Sequence, residues 1–266
     1  MSSPVEPVAS TVVPHLPQVP TGAVRWRTTG TTVAIAALLC LGAYAGTVAF
    51  VSAALIATLV LAIGWPRLLA LPSPRGTTAV VAVGGAMCVV SVGLARNEPL
   101  LSWLSLAMAG AVVAEFVHQL ARRDGRPRVV ESSTGALVGV SLLASMSTWI
   151  ALPQSPIGPG GVVATVAPIT LALALQLLPM PARTTAAIGT LAAVLVGALL
   201  GGMLDGPTRA AGGVAGGLSA VVALMLHQLL AILPPAGWAP GWLALAVSPL
   251  AASGIVGYVT LRLLVG

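Results

Sequence analysis

The sequence predicts an all-α fold, a polytopic transmembrane helix bundle of about nine spans. Three observations carry this reading. Hydrophobic residues make up 57% of the 266-residue chain and charged residues 7%, with a mean hydropathy of +1.01. Soluble domains carry roughly 25% charged residues, so this chain has too little charge to cover a water-facing surface. Apolar runs of about 20 residues, the length that crosses a hydrocarbon core of about 30 Å, recur from Thr31 to the C-terminus. Finally, three short segments recur in the same order, which divides the chain into two similar units.

Residues 1–24 come first, with five prolines and no continuous apolar stretch. They read as a disordered cytoplasmic tail, with the first span acting as an uncleaved signal anchor. Residues 25–266 read as a single transmembrane domain. Thr31 to Ile63 is apolar throughout, and as one helix it would run about 50 Å at 1.5 Å per residue. That is too long for one span, and the repeats show how to divide it. TGTTV (Thr29–Val33) matches TGALV (Thr134–Val138), LPSPRGTTA (Leu71–Ala79) matches LPMPARTTA (Leu178–Ala186), and AVVAEFVHQLA (Ala111–Ala121) matches AVVALMLHQLL (Ala220–Leu230). The break PQSPIGPGG at Pro153–Gly161 in the second copy maps back to about Val48–Ala54, with Gly42 and Gly46 nearby to permit a turn.

The predicted spans are therefore 30–47, 52–70, 76–95, 99–121, 132–152, 161–178, 183–204, 208–232 and 240–263. Repeat one covers 25–121, repeat two 126–232, and the final helix 240–263 has no counterpart. All twelve basic residues are arginine. With the N-terminus inside, Arg25, Arg27, Arg67, Arg75, Arg122, Arg123, Arg126, Arg128 and Arg183 face the cytoplasm, and only Arg96, Arg209 and Arg262 face out. Arginine bias in short loops sets topology, so the expected location is a bacterial plasma membrane, with the C-terminus outside. Four spans per unit make the two copies parallel, related by an axis along the membrane normal. The six tryptophans (26, 65, 103, 149, 238 and 242) all fall near proposed span ends, as in an aromatic belt.

Candidate functional residues are few. Glu115 lies inside the fourth span, where a carboxylate at the bilayer centre costs about 2.5–3.5 kcal/mol on insertion scales. Spacing puts it on one helix face with His118 (i+3) and Gln119 (i+4). Two readings are open: a proton-coupled or cation site shared with His118, or an interfacial carboxylate paired with Arg122 or Arg123. His118 and Gln119 recur as His227 and Gln228. These pairs either meet across the pseudo-symmetry axis, bind a polar head group, or cap their own helix ends. The loop RRDGRPR places Arg122, Arg123, Arg126 and Arg128 where they can hold anionic lipid phosphates or anchor topology. Gly212/Gly216 and Gly213/Gly217 form overlapping GxxxG pairs suited to close helix packing.

HQLxRRDGRPR followed by a new span resembles a group of uncharacterised polytopic integral membrane proteins of high-GC, actinobacterial-type bacteria, most specifically over His118–Glu131. The resemblance implies a membrane location and no known activity. No nucleophile–base pair, phosphate loop or HExxH-type motif is present, so an enzyme is not expected. Glu115-x-x-His118 is only half of a di-iron helix motif, so no metal and no cofactor are expected either. The expected partner is the lipid bilayer, including anionic lipids, with a homo-oligomer or a membrane partner in addition and no nucleic acid. The leading expectation is a small transporter or permease with its site between the repeats. The alternative is a scaffold or accessory subunit of a cell-envelope complex, and a lipid-acting enzyme, relying on Glu115 and His118, comes third.

Overall fold

The computed structural model describes residues 22–237 and 240–265, and these form nine long apolar helices. They are α1 (Gly22–Ala45), α2 (Thr47–Leu68), α3 (Pro74–Gly93), α4 (Leu104–Ala121), α5 (Val129–Ser147), α6 (Gly158–Ala174), α7 (Ala182–Met203), α8 (Arg209–Ala231) and α9 (Gly241–Val265). Each is long and apolar enough to cross a bilayer. The chain is a multi-pass integral membrane protein.

The helices begin and end where backbone chemistry requires. Pro74 opens α3 within its first turn, where the missing N–H is not needed. α1 and α2 meet at Gly46, with φ +105°, a left-handed-side value that glycine adopts without steric cost. The junction is thus a single residue, slightly before the expected 48–54. α1 also begins at Gly22, earlier than residue 30, so the last three residues of the expected tail are helical. Residues 1–21 lie outside the described residues. α4 begins at Leu104, because the chain before it forms turns rather than the start of the expected span at 99.

Alternate loops gather at two ends of the bundle. At one end Arg25, Gln176, His227 and Leu245 line a common cavity. At the other, Arg262 near the end of α9 pairs with Glu98 before α4 at 3.0 Å, and Tyr44 shares a cleft with Gly158 and Asp205. Chain direction therefore alternates helix by helix, as successive membrane crossings demand.

The last helix, α9, is central. It packs against α1, α2, α5 and α8, so it touches both halves of the chain. Its approach to α5 is close enough that a Cβ on Gly254 would lie 2.0 Å from the Ser145 carbonyl oxygen. Polar pairing accompanies that approach, since Ser145 Oγ donates to Ala252 O at 3.0 Å and accepts from the Ile255 N–H at 3.0 Å. Where the bilayer offers no water, such internal partners replace it.

The tryptophans divide. Trp26 and Trp103 are exposed, as a belt residue should be, but Trp65 and Trp149 are buried in the core. Trp65 Nε1 donates to Gly135 O at 2.7 Å, tying α2 to α5. Their positions near helix ends do fit a belt; their side chains instead face neighbouring helices. Trp238 lies outside the described residues.

Candidate functional site

At the end of α4 the sequence places three polar side chains on one face, and the structure buries that face against α3 and α5. Glu115 is 1% exposed and Gln119 6%. Gln119 Nε2 donates to Glu115 Oε1 at 2.5 Å and to Ser132 Oγ on α5 at 3.0 Å. Its amide oxygen accepts from Arg122 Nη1 at 2.9 Å. Arg122, also buried, then forms a two-pronged pair with Asp124, with Nε–Oδ1 3.1 Å and Nη2–Oδ2 2.9 Å, and donates to Pro127 O at 3.2 Å.

The result is a chain, Glu115–Gln119–Arg122–Asp124, running from inside the span to the loop. The expected direct pairing of Glu115 with Arg122 or Arg123 is replaced by this relay, because Gln119, one turn on, lies between them. Glu115 Oε2 remains buried without a partner. His118 turns to the neighbouring helix. A Cβ on Gly76 would fall 1.9 Å from its imidazole Cε1, so the missing side chain of α3 makes room for the ring. His118 also lines an open cleft of about 470 Å³ with Ser73, Arg122, Arg123 and Asp124. Its Nε2 is buried and unpartnered.

Asp124 lies outside the spans, and its side chain is 44% exposed. The Arg122 hydrogen bond holds its carboxyl below the ordinary aspartate range, helped by the Arg126 backbone N–H. The other arginines of the loop divide between internal and free roles. Arg126 Nη2 donates to Leu120 O at 3.0 Å. Arg128 pairs with Glu131 and donates to Ala70 O at 3.1 Å. Arg126 and Arg128 both take left-handed backbone angles, φ 52°, which are costly for a residue with a side chain. Arg123 is exposed and so available to a lipid phosphate.

His227 and Gln228 occupy a different place, and the two His-Gln pairs do not meet. They line a cavity of about 520 Å³ among α1, the end of α6, the start of α7, α8 and α9. Its polar wall holds Arg25, Thr28, Gln176, Thr185, His227 and Gln228; apolar residues, among them Leu173, Met180 and Ile232, complete the lining. Arg25 Nη2 donates to the Gln176 backbone carbonyl. Thr185 Oγ1 donates to Gln176 Oε1 at 3.0 Å, and Gln228 Nε2 to Ala182 O at 3.4 Å. Gln176 Nε2 is left buried without a partner. Pro249 inside α9 removes the N–H that the Leu245 carbonyl would receive, and His227 faces that freed carbonyl.

The glycines of α8 all face inward. A Cβ on Gly212 would lie 2.3 Å from Gly197 O, and Gly213, Gly216 and Gly217 lie against Ala198, Ala193 and Val194 of α7. Gly216 also meets Pro168 of α6. These faces are consumed within the chain.

Arg25 and Thr185 stood outside the sequence-based candidates. Arg25 looked like a topological charge at a span boundary, and nothing local links it to Gln176, 151 positions away. Gln176 carries the available signal, as a strongly polar side chain well inside an apolar run. Among the described residues no cluster of His, Cys, Asp and Glu suited to a metal is found.

No protein-family model matches the chain, and neither a curated protein nor a solved structure is detectably similar to it.

Proposed function

We propose that the chain is a small transporter or permease of the bacterial plasma membrane, with its N-terminus cytoplasmic and its substrate site between two fused four-helix repeats, α1–α4 and α5–α8. The observation that carries this reading is the 520 Å³ cavity in which α1 of the first repeat meets α6, α7 and α8 of the second. Repeat transporters commonly bind substrate at such an interface, and the volume falls within the roughly 300–1,000 Å³ of small-molecule sites. Here α9 packs against helices of both halves, and it lines the cavity at Leu245 in its first turns.

The duplicated segments support the same arrangement. In the first copy Ser73 of the LPxP stretch shares a cleft with His118; in the second, Met180 of the matching stretch shares the cavity with His227. The copies then diverge. The first carries the buried Glu115 where the second has Leu224. That asymmetry suits a division of labour, with the substrate at the second copy and a coupling proton or cation at Glu115 and His118 of the first.

The test is flux. Proteoliposomes containing the full chain and a single-chain lipid labelled at its head group should expose that lipid to an external quencher faster than empty vesicles. Ala231→Phe, which fills the cavity, should bring the rate to that of empty vesicles. Equal rates with and without protein would remove the transport reading. The alternative, a scaffold or accessory subunit, would rest on the basic loop, since the glycine faces of α8 are already occupied by α7. Stable co-purification of a partner, lost on Arg123→Glu, would favour it.

A further inference from the structure

The chemistry of the cavity wall is one-sided. Arg25 supplies a full positive charge, and among the described residues the three ion pairs are Arg122–Asp124, Arg128–Glu131 and Arg262–Glu98, none involving Arg25. No carboxylate among the described residues lines the cavity. Gln176 adds a buried amide N–H2 that has no acceptor, while its oxygen is already taken by Thr185. The first turn of α7 also borders the cavity at Ala182 and Thr185. No side chain caps its free N–H groups, so the positive end of the helix dipole contributes there. Against these donors stand Leu173, Leu177, Met180, Ile232 and Leu245, which give a guest no polar contact.

A cation would meet Arg25 with no carboxylate among the described lining residues to offset the repulsion. A fully apolar guest would leave the Arg25 charge without a counterion and the Gln176 N–H2 without an acceptor in a low-dielectric setting. That is costly even though one guanidinium N–H already reaches the Gln176 backbone carbonyl. From this juxtaposition we infer that the cavity binds an amphiphile with a monoanionic head and an apolar chain, the head at Arg25 and Gln176 and the chain along Leu173, Met180 and Ile232. This rests on the transport reading for its purpose but not for its test, because binding is measured without flux.

The experiment uses the full chain in phosphatidylcholine nanodiscs and a brominated single-chain carboxylate, which quenches tryptophan on contact. Trp26 adjoins Arg25 on α1 and Trp242 precedes Leu245 by one turn on α9. Neither lines the cavity itself, so the saturable part of the quenching, and not its total, reports occupancy. The carboxylate should quench at a concentration about tenfold lower than the matching brominated alcohol, the scale of one charge-assisted hydrogen bond. Arg25→Gln should abolish that preference. Arg27→Gln, which removes an equal charge from an exposed position of the same helix that does not line the cavity, should preserve it. Ala231→Phe should remove saturable quenching by either compound.

Equal binding of alcohol and carboxylate would overturn the anionic assignment while leaving transport of a neutral guest intact. Equal effects of Arg25→Gln and Arg27→Gln would reduce the preference to surface charge and overturn it as well. Quenching untouched by Ala231→Phe would remove the cavity as a site and, with it, the transport reading. Brominated phosphatidylglycerol as host lipid identifies the source. Quenching by it that depends on Arg25 assigns the head to a bilayer lipid, and Arg25-dependent quenching by the free acid alone assigns it to a single-chain solute; either result supports the proposal.

Discussion

At the scale of single residues, the network at the end of α4 distinguishes a side chain that holds structure from one that does not. Gln119 makes three hydrogen bonds in a buried setting, to Glu115, Ser132 and Arg122. Gln119→Leu removes all three and strands a carboxylate and part of a guanidinium, so a loss of about 1–3 kcal/mol is expected, with a clear fall in the thermal midpoint in detergent. Glu115→Leu removes one acceptor, and Gln119 Nε2 keeps Ser132. It also relieves the chain of a carboxylate that costs up to about 3 kcal/mol within a span. The midpoint should therefore stay level or rise; a fall as large as that of Gln119→Leu would make Glu115 structural. The relay ends at Asp124, whose carboxyl the Arg122 hydrogen bond holds below the ordinary value of about 3.9. A depressed folded-state pKa stabilises above the unfolded value and loses that contribution as pH falls through the folded one. The thermal midpoint of the native chain should thus drop more steeply below about pH 4 than that of Asp124→Asn, and parallel curves would count against the pairing. The sequence shows Glu115, His118 and Gln119 on one face by spacing alone. It does not show that Gln119 interposes before Arg122, because rotamer choice depends on Ser132 from another helix.

At the scale of helices, the α7–α8 contact rests on backbone proximity, and two adjacent glycines report on it in opposite ways. A Cβ on Gly201 would fall 2.5 Å from the Thr208 carbonyl oxygen, a backbone atom with no freedom to retreat. On Gly202 the nearest atom is Nε of Arg209 at 2.7 Å, the far part of a flexible side chain. Gly201→Ala should therefore destabilise, by about 1–3 kcal/mol as overpacking does. Gly202→Ala should be neutral or gain up to about 1 kcal/mol of helix propensity. Unfolding midpoints of the two variants, measured side by side, decide the matter; equal loss in both would mean that α7 and α8 are less closely packed. Much of this level was legible in advance, because helix existence follows from run length and the GxxxG spacing is local. The α1–α2 junction was less so, since an unbroken apolar stretch hides a one-residue turn until Gly46 is seen with φ +105°. The centrality of α9 was invisible, because its close approach to α5 at Gly254 joins residues more than a hundred positions apart.

At the scale of the whole molecule, the two ends of the bundle differ in charge and in what they hold. One end carries the basic loop 122–128, the His118 cleft and the Arg25 cavity; the other carries Glu98 paired with Arg262, and the cleft at Asp205. The orientation proposed from the arginine asymmetry has the first end in the cytoplasm; under that proposal a guest entering the cavity comes from the cell interior or the inner leaflet. A cysteine in each terminal loop tests this directly. Arg123 and Asp205 are both exposed, so neither replacement disturbs packing, although Arg123→Cys also removes one of the charges held to orient the chain. The native Cys40 is only partly exposed, inside α1, and Cys88 is buried inside α3, so both are poor targets for a water-soluble reagent; Cys40→Ala with Cys88→Ala removes them outright. In intact cells a membrane-impermeant maleimide should label Asp205→Cys and spare Arg123→Cys, and permeabilisation should expose the latter. The opposite pattern would invert the molecule and place the cavity on the outer face, while labelling of both in intact cells would mean mixed insertion. Partial labelling of Arg123→Cys in intact cells, beside full labelling of Asp205→Cys, would measure the weight of a single arginine. Eight would remain inside against three outside, and a bias of that size should still insert the chain one way.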